Sequence, residues 1–335
     1  MSHRIGLRGI ALLAIVASGM LVGAQTPLPT LLVLNKSENA LVVVDPASKR
    51  VLGKVPTGEG PHELAVAADG KLAFVSNYGS GQAPGHTISV VDLAARKELR
   101  RVDLKPFTRP HGLFAADGKV YFTAEANRAI GRYDPAANQI DWVMGTGQTS
   151  THMVLLNKDS SRIFTANIGS DSIMVLERGA NPGAWNATVV PVGRGPEGLD
   201  LSPDGTQLWA AHSRDGGVSI VDVAAKKVTQ TLNLQTKRSN RLKFTPDGRL
   251  ALVSDLDGGE LVVVDVASRK EIKRVKLGRA PEGILVAPDS SRAYVAVNGD
   301  DYVAIVDLKG LDVVDRIATG PGSGPDGLAW RSAGR

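Results

Sequence analysis

Seven polar residues recur along this sequence at nearly equal spacing, each at the same place in a repeated phrase. They are His62, His111, His152, Glu197, Asn240, Glu282 and Asp326, separated by 49, 41, 45, 43, 42 and 44 residues. Imidazole, carboxylate and amide groups can ligate metal ions, transfer protons and hydrogen-bond polar ligands. If the fold brings these seven positions together, the sequence encodes one convergent polar site.

The segments between these positions carry four strand signals each. A short apolar strand follows the polar residue, an Asp-Gly or Asp-Ser turn leads to a second strand, a third ends in Val-Asp, and a fourth is polar. Asp-Gly between apolar runs is a strong hairpin signal, and a period of about 44 residues is typical of a propeller blade. The sequence therefore predicts an all-β, seven-bladed β-propeller of four-stranded antiparallel blades.

The two ends of the chain predict how the ring closes. Residues 30–55 supply three strands but no innermost one, whereas residues 326–330 read as an innermost strand with nothing after it. A mixed N-/C-terminal blade removes both open edges. We expect this blade to close the propeller.

The predicted topology converts sequence position into location. If the chain enters each innermost strand at the repeated phrase, the seven polar residues stand around one mouth of the central channel. The loops between second and third strands open on the same face. The predicted channel-mouth site comprises His62, His111, His152, Glu197, Asn240, Glu282, Asp326, His212, Asn77 and Asn167.

Three adjacent blades carry histidine at this position, which suggests a metal site. Neighbouring ring positions should lie ~5–10 Å apart, so His62, His111 and His152 are candidate ligands for one divalent ion. The alternative is that these side chains bond buried backbone and line a water-filled channel. The sequence leaves both readings open.

Two stretches resemble known families. Phe74-Val-Ser-Asn77, Tyr294-Val-Ala-Val297 and the recurring Val-Val-Asp resemble the YVTN-type bacterial propeller repeat across residues 25–335. The segment 110–125 is similar to the repeat of streptogramin-type lyases, seven-bladed enzymes that use a His base and a divalent metal. That resemblance implies His111, His152 and Glu125 as candidate catalytic residues.

The first 24 residues have the layout of a secretory signal peptide. Arg4 and Arg8 precede an apolar run, and cleavage is expected near Ala24-Gln25. We therefore expect a periplasmic or secreted protein with one propeller domain over residues 25–335 and no transmembrane segment in the mature chain.

The amino-acid composition limits which binding partners and covalent modifications are expected. The chain has no cysteine, which excludes disulfides and haem attachment through Cys-x-x-Cys-His. Its lysines and arginines are scattered and its aromatic residues are few, so no nucleic acid is expected. The basic run 237–241 is interpreted as a solvated loop, and a monomer is expected.

Three functions fit these observations. The first is an exported binding or scaffold protein whose channel mouth takes a small-molecule ligand or a protein partner. The second is a metal-dependent lactonase-like hydrolase or streptogramin lyase-like enzyme, and the third is a subunit that docks on a redox partner. The sequence does not decide whether the protein is an enzyme or which ligand it binds.

Two further segments have a predicted structural role. The segment 77–87 is interpreted as a long loop near the mouth, either a lid or a plain connection. Trp185 lies in a far-side connection, where it either forms a docking surface or covers a blade edge.

Overall fold

The computed structural model describes residues 30–181 and 183–331. It contains seven four-stranded antiparallel sheets arranged as a ring, which confirms the predicted seven-bladed β-propeller. The predicted signal peptide, residues 1–24, lies outside the described residues. Across the part of the chain that is described, no helix has the length and apolar character needed to cross a membrane.

The strands follow one another from the innermost to the outermost position of each blade. Blades 1 to 3 contain β4 (Pro61–Val66), β5 (Leu72–Gly79), β6 (Pro84–Asp92), β7 (Lys97–Asp103), β8 (Pro110–Ala116), β9 (Lys119–Ala124), β10 (Ala129–Asp134), β11 (Gln139–Gly145), β12 (Thr151–Leu156), β13 (Arg162–Asn167), β14 (Ser172–Arg178) and β15 (Trp185–Pro191). Blades 4 to 6 contain β16 (Pro196–Leu201), β17 (Gln207–His212), β18 (Gly217–Asp222), β19 (Lys227–Asn233), β20 (Ser239–Phe244), β21 (Leu250–Asp255), β22 (Glu260–Asp265), β23 (Lys270–Lys276), β24 (Pro281–Val286), β25 (Arg292–Val297), β26 (Tyr302–Asp307) and β27 (Asp312–Ala318). Blade 7 combines β28 (Pro325–Arg331) with β1 (Thr30–Asn35), β2 (Ala40–Asp45) and β3 (Arg50–Pro56). Within the described ranges, three short 3₁₀ turns join second to third strands, and they are Glu125–Asn127, Ile168–Ser170 and Asn298–Asp300.

The Asp-Gly turns connect the first two strands as predicted. Gly70 has φ 67° and Gly205 has φ 73°, a left-handed conformation that glycine adopts without steric cost. These turns lie at the end of the ring opposite the channel-mouth residues, because each innermost strand runs from the mouth to the turn. One face of the propeller thus carries the Asp-Gly turns, and the opposite face carries the seven polar residues of the repeated phrase.

The core lies between adjacent blades. Trp209 of blade 4 is fully buried and meets Phe244 of blade 5 edge-on, with ring centroids 5.2 Å apart. Apolar residues of β17, β18, β20 and β22 belong to the same buried cluster. Each blade therefore buries its faces only against its neighbours, and the ring must close for every face to be covered.

Blade 7 closes the ring as the chain ends predicted. Leu31 pairs with Trp330 and Leu32 with Ala329 in antiparallel register. The Trp330 indole N–H also donates a hydrogen bond of 2.9 Å to the carbonyl of Val286 in blade 6. The C-terminal strand thus joins the first strand on one side and the preceding blade on the other.

The interpretation of residues 77–87 as a long loop was wrong. Asn77 pairs with Thr87 and Gly79 with Pro84, so β5 and β6 continue as an extended hairpin. At Gly85 a Cβ atom would lie 2.0 Å from the carbonyl oxygen of Asn77, so only glycine permits this close approach. The segment is a paired projection beside the mouth.

Trp185 lies half-buried at a blade edge. Its ring centroid is 5.9 Å from that of Trp142 in blade 2, and Arg178 lies over its face at 5.0 Å. These contacts favour the edge-covering interpretation over a free docking surface.

Ring closure predicts the effect of a C-terminal truncation. Deleting residues 324–335 removes β28 and exposes the inner edge of β1, so the protein should lose several of the ~5–15 kcal/mol typical of domains. Thermal unfolding and sedimentation should report a lower melting temperature and self-association. Deleting only residues 333–335 is the matched control. A truncated protein that melts at the wild-type temperature as a monomer would rule out this mode of closure.

Candidate functional site

Hydroxyl groups on the second strands hold the backbone of the ring residues, the name used here for the seven polar residues of the repeated phrase. The Ser76 hydroxyl donates to the carbonyl of His111 at 2.7 Å, and Thr123 does the same for His152 at 2.9 Å. Ser254 repeats the contact with Glu282 at 2.8 Å. In each case the donor belongs to the preceding blade, so neighbouring blades position one another's ring residue.

The ring residues surround a cavity of about 690 Å³ at one mouth of the channel, here called the upper cavity. Six of the seven predicted ring residues line it, and Asp326 lies fully buried behind them. The lining comprises Lys36, His62, Tyr78, His111, Glu125, His152, Ile168, Glu197, Ser213, Arg214, Arg238, Asn240, Arg241, Leu256 and Glu282.

The three histidines form a column of rings. The centroids of His62 and His111 are 4.7 Å apart, and those of His111 and His152 are 3.6 Å apart with the planes tilted by 30°. Tyr78 meets both His62 and His111 edge-on. The structure therefore brings together the three residues that the sequence singled out.

Burial keeps two of these rings neutral. Desolvation, then the neighbouring histidines, holds the pKa of His111 well below its ordinary value. Burial also lowers the pKa of His62, against the opposing effect of Asp326. Both imidazoles are therefore uncharged at neutral pH and can donate or accept one hydrogen bond at each nitrogen.

The stacked rings do not form a ready metal site. Nitrogen lone pairs lie in the ring planes, so stacked rings direct them along roughly parallel lines, whereas Zn²⁺ needs nitrogens converging at ~2.0–2.1 Å. Among the residues described, no group of three or more His, Asp or Glu side chains is placed to hold an ion. Metal binding by His62, His111 and His152 stays a prediction that requires the rings to rotate.

Glu125 links the histidine column to Tyr78. Its Oε2 accepts a hydrogen bond from the Tyr78 hydroxyl at 3.1 Å and lies 3.3 Å from His152 Nδ1. Burial and the Glu125 carboxylate raise the pKa of Tyr78 to about 12. Burial alone would raise the pKa of Glu125, but the bonds from His152 and Tyr78 outweigh it and lower that pKa.

Arg241 is the main residue that sequence reasoning missed. It was assigned to a solvated basic loop, but it lies on β20 with only 6% of its surface exposed. Its guanidinium donates to Glu63 Oε1 across the channel, at 2.5 and 3.0 Å, and to Asn240 Oδ1 at 3.0 Å. Burial would lower the pKa of Arg241, but the surrounding carboxylates raise it, so the group is a fixed cation.

A sequence signal for this pair exists at the position after the ring residue. Four copies carry glycine there, and at Gly283 a Cβ atom would lie 2.2 Å from the carbonyl oxygen of Asp326. Glu63 and Arg241 occupy the same position in blades 1 and 5. Opposite charges at equivalent places of facing blades indicate a contact across the channel.

Asp326 lies close to basic side chains from three blades. Its carboxylate lies 3.4 Å from Lys36 Nζ, 3.0 Å from His62 Nδ1 and 3.9 Å from Arg241. Burial would raise the pKa of Asp326, but these cations, with His62, hold it well below its usual range. Burial and this neighbouring carboxylate raise the pKa of Glu282 to about 8, so Glu282 is protonated at neutral pH.

Unsatisfied polar atoms concentrate at this site. Nδ1 of His111 and Nε2 of His152 are buried without a hydrogen-bond partner among the described residues, whereas Nδ1 of His62 and the Asp326 carboxylate face each other at 3.0 Å. A buried polar group without a partner costs about 1–3 kcal/mol. His111 and His152 therefore keep unused hydrogen-bonding capacity beside the upper cavity.

The cations at the rim lack acidic partners. Arg214 and Arg238, from blades 4 and 5, are exposed at the upper cavity. Neither guanidinium forms an ion pair or hydrogen bond with any residue in the described ranges, whereas the Glu125 and Glu197 carboxylates accept hydrogen bonds from Tyr78 and Asn240. Arg214 and Arg238 are therefore the cations at the opening that remain free to pair with an anion, whereas Tyr78 and Asn240 hold the two acidic side chains in place without neutralising them.

Besides Asp326, three residues predicted at the mouth do not line the cavity. His212 is fully buried, with Nδ1 2.9 Å from Asp215 and Nε2 accepting from the Ser219 amide. Asn77 donates to Thr87 and Ser89, and Asn167 bonds Ser172 in the equivalent place. Loop position alone does not fix side-chain direction, and these three stabilise the hairpins behind the ring.

The protonated state of Glu282 predicts a pH effect. Because its folded pKa of about 8 lies above the ordinary 4.5, the folded state holds the extra proton and loses stability as pH rises between these values. Glu282→Gln should therefore leave stability unchanged near the lower pH and raise the melting temperature increasingly towards the upper one. Thermal unfolding across this range measures the difference. Parallel pH profiles of variant and wild type would contradict the assignment.

Comparisons with known proteins agree with the fold. No protein-family model matches the chain. The chain is 28% identical over 162 residues to the seven-bladed beta-propeller protein Rv1057 of Mycobacterium tuberculosis, a match that covers 46% of this chain and 41% of that protein. The chain thus spans less than half the length of this curated relative.

Solved structures extend the comparison to most of the chain. Hydrazine synthase from Kuenenia stuttgartiensis superposes with a TM-score of 0.74 at 18% identity, covering 83% of this chain and 92% of that one. A protein named as a candidate 6-phosphogluconolactonase from Bacteroides uniformis gives 0.75 at 13% identity, covering 90% and 99%. These likenesses support the seven-bladed β-propeller and assign no activity.

Proposed function

We propose that this chain is a binding protein whose upper cavity takes a small anionic molecule. The observation that carries the proposal is the presence at the opening of two exposed guanidiniums without acidic partners among the described residues, beside imidazole nitrogens of His111 and His152 that also lack partners. His62, His111 and His152 would supply hydrogen bonds inside the cavity, and Arg214 and Arg238 would attract the anion at its opening.

The size and chemistry of the cavity support this proposal. A volume of about 690 Å³ falls within the ~300–1,000 Å³ typical of small-molecule sites. Neutral imidazoles can donate to a carboxylate or phosphate oxygen at one nitrogen.

The fold supports a binding role in general terms. Propeller neighbours named as a hydrazine synthase and a candidate lactonase are compatible with a scaffold, a binding protein or a hydrolase-like role. Export to the periplasm or the cell exterior and docking on a redox partner stay predictions from the sequence.

A matched pair of probes tests the sign of the charge. Succinate and putrescine have the same four-carbon length and opposite charge. Bound succinate should add about 2.7 kcal/mol to the free energy of unfolding at about 100 times its Kd, and putrescine should add nothing. Calorimetry should show affinity for succinate falling as salt is added, because exposed charges are screened.

Variants locate the binding in the same experiment. Replacing both Arg214 and Arg238 by Gln should weaken succinate binding by about 1–2 kcal/mol, the scale of two exposed charge contacts. Arg249→Gln, at an exposed turn on the opposite face, is the matched control. Equal binding of putrescine, or an Arg214/Arg238 variant that binds succinate like wild type, would overturn the proposal.

A second candidate function is acid–base catalysis of the lactonase or lyase kind. The contact chain from Tyr78 through Glu125 to His152 favours it, because a carboxylate that orients an imidazole is a recurrent general-base arrangement. His152 would move the proton, Glu125 would hold its ring, and His111 would lie against its face.

Lactone probes separate this candidate from simple binding. γ-Butyrolactone and dihydrocoumarin are incubated with chelator-treated protein, alone and with Mg²⁺ or Zn²⁺ added. A catalytic His152 predicts turnover that falls about 10²–10⁴-fold in His152→Ala. His86→Ala, in the hairpin beside the mouth, should retain it. If no condition gives turnover, or both variants behave alike, the enzyme candidate is rejected.

A further inference from the structure

A second cavity, of about 470 Å³, occupies the channel beyond the upper cavity. All seven innermost strands contribute to its wall, and it is here called the lower chamber. Arg241 borders both cavities, while Glu63 borders only the lower chamber. The Arg241–Glu63 ion pair therefore lies at the boundary between the two.

Partly exposed apolar side chains form the wall of the lower chamber. Six of the seven innermost strands each contribute at least one, and these residues are Val66, Phe114, Met153, Leu201, Leu285, Leu328 and Trp330. Each of these side chains also packs against an apolar cluster between blades, so only part of it faces the chamber. The parts that face the chamber favour an occupant with an apolar body.

Every charged group at the edge of the chamber already has a partner. Lys243 lies 3.4 Å from Asp200, whose other oxygen accepts a 2.9 Å hydrogen bond from the Phe244 amide. Arg241 is paired with Glu63. A charged ligand would lose its hydration here without gaining an ionic partner, which is costly.

The backbone supplies the remaining polar contacts. Each innermost strand is the edge strand of its sheet and pairs only with the second strand of its blade. Its other edge faces the channel, where neighbouring blades bond some of the backbone groups, such as the Phe244 amide and the Val286 carbonyl. A hydroxyl or carbonyl on an otherwise apolar molecule could bond backbone groups that such contacts leave free.

From these features we propose that the lower chamber is a second binding site, which takes a neutral molecule with an apolar body and a hydroxyl or carbonyl group. Its volume lies within the range of small-molecule sites. The site is independent of the upper cavity, because the two differ in wall chemistry and are separated by the Arg241–Glu63 pair.

The test compares two probes that share one ring system. 1-Naphthol is neutral and carries a hydroxyl, whereas 1-naphthalenesulfonate carries a fixed charge. Equilibrium dialysis should show one 1-naphthol per chain, bound at least roughly tenfold more tightly than the sulfonate. Equal affinity for the two probes would overturn the proposal.

Variants identify the chamber as the site. Met153→Lys introduces a charge into the chamber and should abolish 1-naphthol binding, and Ala329→Leu should weaken it by filling space. Leu99→Lys, on an outermost strand with 51% of its surface exposed, is the matched control. Circular dichroism and melting temperature establish that each variant is folded, and the Ala329→Leu arm decides the question if Met153→Lys does not fold.

1-Naphthol binding by a variant of the upper cavity tests whether the two sites are independent. The Arg214→Gln/Arg238→Gln variant should bind 1-naphthol like wild type, whatever it does with succinate. Three results would refute a second site in the lower chamber. They are loss of 1-naphthol binding in this variant, binding that survives both Met153→Lys and Ala329→Leu, and the absence of binding to the wild type.

Discussion

A buried guanidinium at the centre of the ring is the constraint on which the site depends. Removing an arginine from water costs several kcal/mol unless carboxylates and acceptors surround it. Arg241 of blade 5 meets this need with Glu63 of blade 1, Asn240 beside it and the more distant Asp326 of blade 7. These partners lie together only in the closed ring, so closure by β28 and assembly of the site are one event. An opened ring would leave buried charges unpaired.

Charges around Asp326 set the protonation of two acidic groups at the mouth. Lys36, followed by His62 and Arg241, lowers the pKa of Asp326 and keeps it ionised, and burial together with the Asp326 carboxylate keeps Glu282 protonated. The pair therefore carries one negative charge instead of two at neutral pH, and that charge is compensated internally. At the opening, Arg214 and Arg238 have no acidic partner among the described residues. These two cations are the basis of the proposal that the upper cavity takes an anion.

Sequence alone was sufficient for the blades because their signals are local. Asp-Gly turns, Val-Asp strand ends and the seven-fold phrase each act within a few residues, and the three histidines followed from the period. Arg241 was missed because it ends a basic run that suggests solvent, while its partner Glu63 lies 178 residues away. His212 was misplaced because a local contact with Asp215 turns it into the blade. Contacts across the channel are long-range, and no local pattern encodes their direction.

Labelled histidine offers the most direct test of a ligand site at the upper cavity. ¹⁵N resonances of the imidazole rings can be followed while succinate is added to the full protein at neutral pH. Our account predicts that the signals of His62, His111 and His152 move together and saturate, while those of His86 and His212 stay in place. Signals that remain unchanged in the three ring histidines, or that move only in His86, would contradict the assignment of the site.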